Sequence, residues 1–277
     1  MRNVSVVMAA LNAEQTLIRA TKTTLSAMGN DDELLIVDDG STDATNKIAK
    51  EIDDRRVKVV TNSQNLGLAR SLNIGIEAAS NEIIARMDAD DACFPWRFRV
   101  QRRIFERVKP DLLFGTQVLS LNSFPLVVPH TYATRASPGS LTEAMALACV
   151  LAHPTLMSTK STLLSMGGYR NVVAEDYDLW LRAILSDKKI LRHWVPVNLY
   201  TMNNNSPSER DSTKRNYLSH LRCQRLKVFR MENQEREDRH IPLMRAYRRR
   251  LAIRDPFLFL ETGVFTNPIE TLRRQSE

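Results

Sequence analysis

The chain has 277 residues, 43% of them hydrophobic and 26% charged, which excludes a disordered polypeptide and leaves room for one large α/β domain with an appendage. No apolar stretch approaches the ~18 residues that span a bilayer. The net charge of +7 is uneven: residues 1–206 hold 23 Lys/Arg against 22 Asp/Glu, and residues 207–277 hold 16 against 10, a balanced body followed by a basic tail.

The N-terminal run VSVVMAAL (4–11) is short, Val-rich and almost continuously apolar, the pattern of a strand buried on both faces rather than of a signal peptide. Leu17, Ile18, Thr21, Leu25 and Met28 recur at helical spacing over 14–28, and Gly29 ends the helix. A second strand covers 33–37, and a helix over 43–52 starts at Asp43, whose carboxylate can take free N–H groups. A third strand (57–60), a helix (68–79) and a fourth strand (82–87) follow. This alternation predicts a doubly wound, mostly parallel α/β sheet flanked by helices. After Pro95 a basic amphipathic helix runs to Val108, then a strand over 111–121. Residues 122–140, with Pro125, Pro129, Pro138 and Gly139, read as loop. A helix over 141–151, a strand near 155–157, a helix over 160–166 broken by Gly167 and Gly168, a helix over 176–185 and one or two strands over 190–202 complete the body. NNNSPS (203–208) is a turn-rich break, which divides the chain into 1–206 and a mainly helical 207–277. Cys93, Cys149 and Cys223 are widely spaced and odd in number, as expected of reduced thiols in a cytoplasmic protein.

Acids gather in three places. Asp38 and Asp39 end the second strand, Asp88, Asp90 and Asp91 end the fourth, and Glu175 and Asp176 open a later helix. Open α/β sheets bind ligands at the carboxyl ends of their strands. On extended chain, Asp88 and Asp90 point to one side and Asp91 to the other. Two converging carboxylates suit a hard divalent cation whose open positions take diphosphate oxygens. A solvated acidic turn, with Asp91 capping the next helix, is the competing reading, and an isolated D-x-D does not decide between them.

Taken together, SVVMAALNAE (5–14), LLIVDDGSTDAT (34–45), NLGLARSLNIGIEAAS (65–80), IIARMDADD (83–91), HPTLM (153–157), GGYR (167–170) and EDYDLWLRA (175–183) resemble the family 2 glycosyltransferases of the GT-A fold, in the family's own order and over roughly residues 3–202. The resemblance implies a metal-dependent, inverting transfer of a sugar from a nucleotide-sugar donor, UDP- or dTDP-type favoured, to a saccharide or lipid-linked acceptor in bacterial surface-polysaccharide synthesis. It implies that Ala9, Ala10 and Asn12 line the nucleotide pocket and that Asp39 accepts a hydrogen bond from the base. Arg70 lies near the nucleotide, Asp88 near the ribose or metal, and Asp90 ligates Mn²⁺ or Mg²⁺. Asp176 is then the general base, and the 167–169 turn, with Gly168 and Tyr169, and Glu175 lie beside the acceptor and donor sugar. Asp38 reads as a turn anchor, Asp178 as solvent-facing, Arg86 as a diphosphate ligand or the partner of a neighbouring acid, and His153 as an acceptor contact or a structural histidine.

Two positions depart from the family pattern. Leu11–Asn12 stands where many relatives have Tyr-Asn, so an aromatic stack on the base is lost. Tyr200–Asn203 (YTMN) stands where many have Y-R-x-H, so a His ligand to the metal is replaced by an amide. A non-catalytic nucleotide- or glycan-binding subunit and a sugar nucleotidyltransferase are the alternatives, and the second lacks its Gly-rich basic loop near the N-terminus. The tail stretch MRAYRRRLAIRDPFLFLETGVF (244–265) mixes an Arg cluster with Phe and Leu. It reads equally as peripheral membrane contact through 240–265, at the cytoplasmic face of the inner membrane, and as helices packed on the body or on a second copy of the chain. Nucleic acid is not an expected partner, for no recognised module accompanies the charge.

Overall fold

The structure is a computed structural model that describes residues 2–121, 124–129, 149, 151–172 and 174–201. These fall within the first of two units, Met1–Ser219. The expected boundary after residue 206, the basic tail, Asn203, Cys223 and most of the helix expected over 141–151 lie outside the described residues.

Nine strands form one sheet among the described residues. β1 (Val4–Ala10), β2 (Glu33–Asp38), β3 (Val57–Thr61) and β4 (Ile83–Arg86) alternate with α1 (Leu17–Ala27), α2 (Thr45–Lys50) and α3 (Leu68–Ala78). These four strands pair in parallel, in the order β3-β2-β1-β4, as their alternation with helices predicts. β5 (Ala92–Cys93), α4 (Arg97–Val108), β6 (Leu112–Leu121), β7 (Phe124–Pro129), β8 (Met157–Thr159), α5 (Lys160–Ser165), α6 (Glu175–Leu185) and β9 (Ile190–Thr201) complete the body. Here the sheet becomes mixed. β8 inserts antiparallel between β4 and β6, β9 runs parallel to β6, and β5 and β7 pair antiparallel with β9 and β6.

β1 shows why its run carries no polar alternation. Val4, Val6 and Met8 pack with Leu17 and Ala20 of α1 and Phe98 and Phe105 of α4. Val7 faces the opposite layer, with Leu72 and Ile76 of α3 and Trp180 of α6. Both faces of the strand are covered, so both must be apolar. Trp180 is fully buried, with its ring edge-on to Phe114 at 4.8 Å.

Three expectations are corrected. Residues 124–129 form a strand and not a loop, pairing with β6 in a hairpin. The strand expected near 155–157 is a 3₁₀ turn over His153–Thr155 followed by β8. Asp43 precedes its helix rather than opening it, with α2 beginning at Thr45, although the Asp43 carboxylate does accept from the Thr45 N–H at 2.9 Å. No helix among the described residues is long and apolar enough to cross a membrane.

Candidate active site

The carboxyl ends of β1, β2 and β4 open on one edge of the sheet, and the sequence-predicted residues cluster there. Ala10 and Asp38 are register partners at the ends of β1 and β2, and the Asp39 N–H donates to the Ala10 carbonyl at 2.8 Å. Ala9 is half-buried and Ala10 is buried. Asn12 has φ +50°, a left-handed conformation that Asn tolerates better than most side chains. Its N–H donates to Ser41 Oγ (3.0 Å), while its Oδ1 accepts from the Thr42 N–H (2.9 Å). The next two amides follow suit, Ala13 to Thr45 Oγ1 and Glu14 to the Asp43 carboxylate, and Glu14 accepts in return from the Ala44 N–H. Asn12 therefore clasps two loops together. Leu11 is 45% exposed.

Asp38 is a turn anchor as expected, accepting from the Ser41 N–H (3.1 Å) and Asn46 Nδ2 (2.7 Å). Asp39 is buried, and three protein donors hold its carboxylate: Asn62 Nδ2 (2.9 Å), the Leu66 N–H (2.8 Å) and the Gly67 N–H (2.9 Å). Its first task is to fix the loop that leads into α3. A carboxylate offers about four acceptor directions, so little is left for a base. Arg70 is exposed in the first turn of α3, and no described hydrogen bond or ion pair joins it to the acids.

At the end of β4, Asp88 pairs with Arg86, the neighbouring-acid alternative of the sequence reading. The Asp90 backbone carbonyl accepts from Arg19 of α1, which also donates to Thr201 Oγ1 at 2.9 Å. No other described residue donates a hydrogen bond to the Asp90 side chain. Burial, and then the charge of Asp88, raises its carboxyl above the usual range. Residues 88–91 form a turn and not extended chain, and Asp91 lies close enough to feel the charges of both Asp88 and Asp90. It does not cap α4 but is fully buried against β9, accepting from Asn198 Nδ2 (2.6 Å) and the Thr201 N–H (3.1 Å).

The third group is built on α6, whose first turn holds Glu175, Asp176 and Asp178, where the helix dipole favours negative charge. The Asp176 Oδ1 accepts from the Tyr177 N–H at 2.7 Å, and the Cys149 thiol lies 3.9 Å from its Oδ2. Asp178 is not solvent-facing as expected. It binds Arg182 (2.8 Å), and Arg182 in turn donates to the carbonyls of Met166 and Gly168. Asn73 of α3 holds the same turn from the other side, bonding the backbone N–H and carbonyl of Tyr169 at 2.8 and 2.7 Å. Gly168 has φ +62°, and a Cβ there would meet Asn73 Oδ1 at 2.5 Å, so the clamp requires glycine.

Tyr169 is expected beside a sugar, but its side chain is buried, its hydroxyl 2.9 Å from His153 Nε2. Burial first, and then nearby acids, pushes that phenol well above its ordinary range. Burial, with Arg86 second, keeps His153 neutral, and its Nδ1 lies 3.9 Å from Glu175. Tyr169 and His153 are thus a buried polar prop beneath Glu175. The charges of Asp176, Glu175 and Asp88 all add to the upward push on that phenol.

A divalent cation fits this site only in part. The described residues contain no group of three or more His, Cys, Asp or Glu that could hold a metal. Among the described residues none donates to the Asp90 side chain, and Asp88 is shared with Arg86. That donor set suits an ion held by one or two carboxylates, with the remaining positions filled by phosphates and water. The motifs leave several site residues unannounced. Arg19 and Asn198 brace the acidic turn, Asn62 holds Asp39, and Asn73 and Arg182 clamp the glycine turn. Each acts through a contact more than eight residues away in sequence, except for the local Arg182–Asp178 pair. That i,i+4 spacing was the one signal that could have found its residue.

The model of the family described as "Glycosyl transferase family 2" matches residues 5–144. EpsE of Bacillus subtilis (strain 168) is 35% identical over 186 residues, 65% of this chain and 66% of EpsE. The O-antigen biosynthesis glycosyltransferase WbnJ of Escherichia coli is 29% identical over 228 residues, 79% of this chain and 85% of WbnJ. The crystal structure of S. aureus TarS 1–349 in complex with UDP-GlcNAc superposes with a TM-score of 0.65 at 17% identity, covering 76% of this chain and 61% of that one. The chain thus spans just under two thirds of EpsE and TarS. With the mixed sheet, the acids at its strand ends and the matched motifs in place, the chain belongs to glycosyl transferase family 2.

Proposed function

We propose that the protein is a metal-dependent, inverting glycosyltransferase. It moves a sugar from a nucleoside-diphosphate sugar to a saccharide or lipid-linked acceptor in surface-polysaccharide synthesis, at the cytoplasmic face of a membrane. The observation that carries this reading is that Asp88 and Asp90 follow directly on the end of β4, while Glu175 and Asp176 open α6 and, with Asp88, act on the same Tyr169. Relatives point the same way. One similar E. coli protein is named as a UDP-Glc:alpha-D-GlcNAc-diphosphoundecaprenol beta-1,3-glucosyltransferase, and TarS has been crystallised with UDP-GlcNAc and with UDP.

Asp90, with Asp88, would hold a Mn²⁺ or Mg²⁺ ion that neutralises charge developing on the departing diphosphate. Ala9, Ala10 and the clasped loop at Asn12 would wall the nucleoside, and Asp39, already holding three donors, would have about one acceptor direction left for the base. On the other side Asp176 takes the proton of the incoming hydroxyl as its oxygen attacks the anomeric carbon. Only one protein base is needed, because the diphosphate leaves without a proton. Glu175, propped by His153 and Tyr169, fixes the entry of α6 and hence the Asp176 carboxylate.

The test is a panel of UDP-, dTDP- and GDP-sugars with Mn²⁺, reading thermal stabilisation and release of nucleoside diphosphate on the wild type and Asp176→Asn. We expect one donor class to stabilise both proteins. Turnover should fall at least ~100-fold in the variant. Full turnover by Asp176→Asn removes it as the base, and no stabilisation by any donor overturns the reading.

A further inference from the structure

We propose that Arg86 is a resident cation of the acidic site, holding Asp88 in place before a donor arrives and making firm capture of a divalent ion depend on the donor's diphosphate. The inference rests on the proposed role of Asp88 and Asp90 in cation binding and adds a residue to it.

Arg86 ends β4 with its side chain 5% exposed, paired to an Asp88 side chain that is 27% exposed. Its backbone is fixed on both sides: the N–H donates to the Leu156 carbonyl at 3.1 Å, and the carbonyl accepts from Arg97 Nη2 at 2.6 Å. Its Nε and Nη1 are buried with no hydrogen-bond partner among the described residues. Leaving such groups unpaired is unfavourable, so packing alone does not account for an arginine here. What the guanidinium contributes is charge, paired to Asp88 and within the field of Glu175.

That charge has two consequences. Asp88 has its counter-ion before any ligand binds, so its orientation is set in advance. A bare dication entering beside Asp90 meets an Asp88 already neutralised and a fixed positive charge close behind it. Like charges repel more strongly in a partly buried site than in water, so the ion alone is held weakly. A diphosphate reverses the balance by bringing its own negative charge and oxygen ligands. When the incoming ion draws on Asp88, the unpaired N–H groups of Arg86 give it capacity for another anionic partner.

The experiment is a titration of the full chain with Mn²⁺, read by loss of the free-ion electron paramagnetic resonance signal, with and without UDP. Wild type should bind Mn²⁺ weakly alone and at least about tenfold more tightly with UDP. Arg86→Gln, folded by circular dichroism, should bind Mn²⁺ alone about tenfold more tightly than wild type. Arg86→Lys, which keeps the charge, should resemble wild type. Tight Mn²⁺ binding by wild type without UDP overturns the inference with no variant needed. So does Arg86→Gln with unchanged or weaker affinity, or Arg86→Lys behaving as Arg86→Gln. Absence of Mn²⁺ binding with and without UDP overturns this inference together with the metal reading beneath it.

Discussion

Asp39 shows how one residue can serve architecture and chemistry at once. The motif VDDG places it at a strand end, and family resemblance assigns it to the base, but neither reveals Asn62, Leu66 and Gly67 as its partners. Truncation would leave the Leu66 N–H and one N–H of Asn62 unmatched, each worth about 1–3 kcal/mol when it loses its acceptor, while the Gly67 N–H keeps Asn65 Oδ1. Asp39→Ala should therefore destabilise the fold by about 3 kcal/mol, measurable as a lower urea midpoint at unchanged slope. A loss under ~0.5 kcal/mol would mean that the 62–67 loop is held by something else. Asp38, its neighbour, was legible as an anchor because Gly40 and Ser41 after it spell a turn. Asp178 was misread although the signal was there: Arg182 stands four residues on in a segment expected to be helical, the spacing at which such charges meet.

At the scale of elements, the glycine turn before α6 is pinned by side chains from two helices, Asn73 of α3 and Arg182 of α6. Gly168→Ala would force a Cβ onto Asn73 in a left-handed backbone. We expect a cost of about 1–3 kcal/mol and a fall in turnover with nucleotide stabilisation largely kept, since the turn borders α6 and not the β1–β2 pocket. Equal loss of both would place the turn's influence in the donor pocket. β7 escaped sequence reading for a physical reason. Its Pro125 and Pro129 cannot donate to a ladder, and proline is tolerated where a strand pairs on one side only. β7 pairs with β6 alone among the described strands. β5 is two residues long, too short for any periodicity to register.

For the molecule as a whole, acid stability should be lost in two windows. His193 is buried, and burial, with Arg97 second, depresses its pKa to about 4 from 6.5. The unfolded chain therefore binds its proton first, and stability is complete above pH 6.5 and falls as pH drops toward 4, by about 3 kcal/mol for this group. His153 adds to the same window, its pKa lying well below 6.5. Glu33 acts at lower pH. Although burial opposes ionisation, its bonds to Lys58, Ser5 and Ser80 lower its pKa from 4.5 to about 2, so its contribution is present above pH 4.5 and disappears as pH falls toward 2. Melting temperature against pH should show both declines, with His193→Gln flattening the first and Glu33→Gln the second. The parallel half of the sheet was legible because β1 to β4 alternate with helices at short range. The mixed half was not, since β8 and β9 reach β6 across some 40 to 80 residues of chain and nothing local encodes that pairing. The acids were legible for their spacing, but the basic and amide partners that govern them come from other elements.

The clasp at Asn12 has a mechanical consequence. Six hydrogen bonds run in both directions between residues 12–14 and 41–45, so neither loop can open without unmaking the bonds of the other. The two walls contributed by β1 and β2 behave as a single hinged plate with one shared opening equilibrium. A ligand that touches either loop stiffens both, and recognition at the end of β1 is felt at the end of β2 without any change of shape.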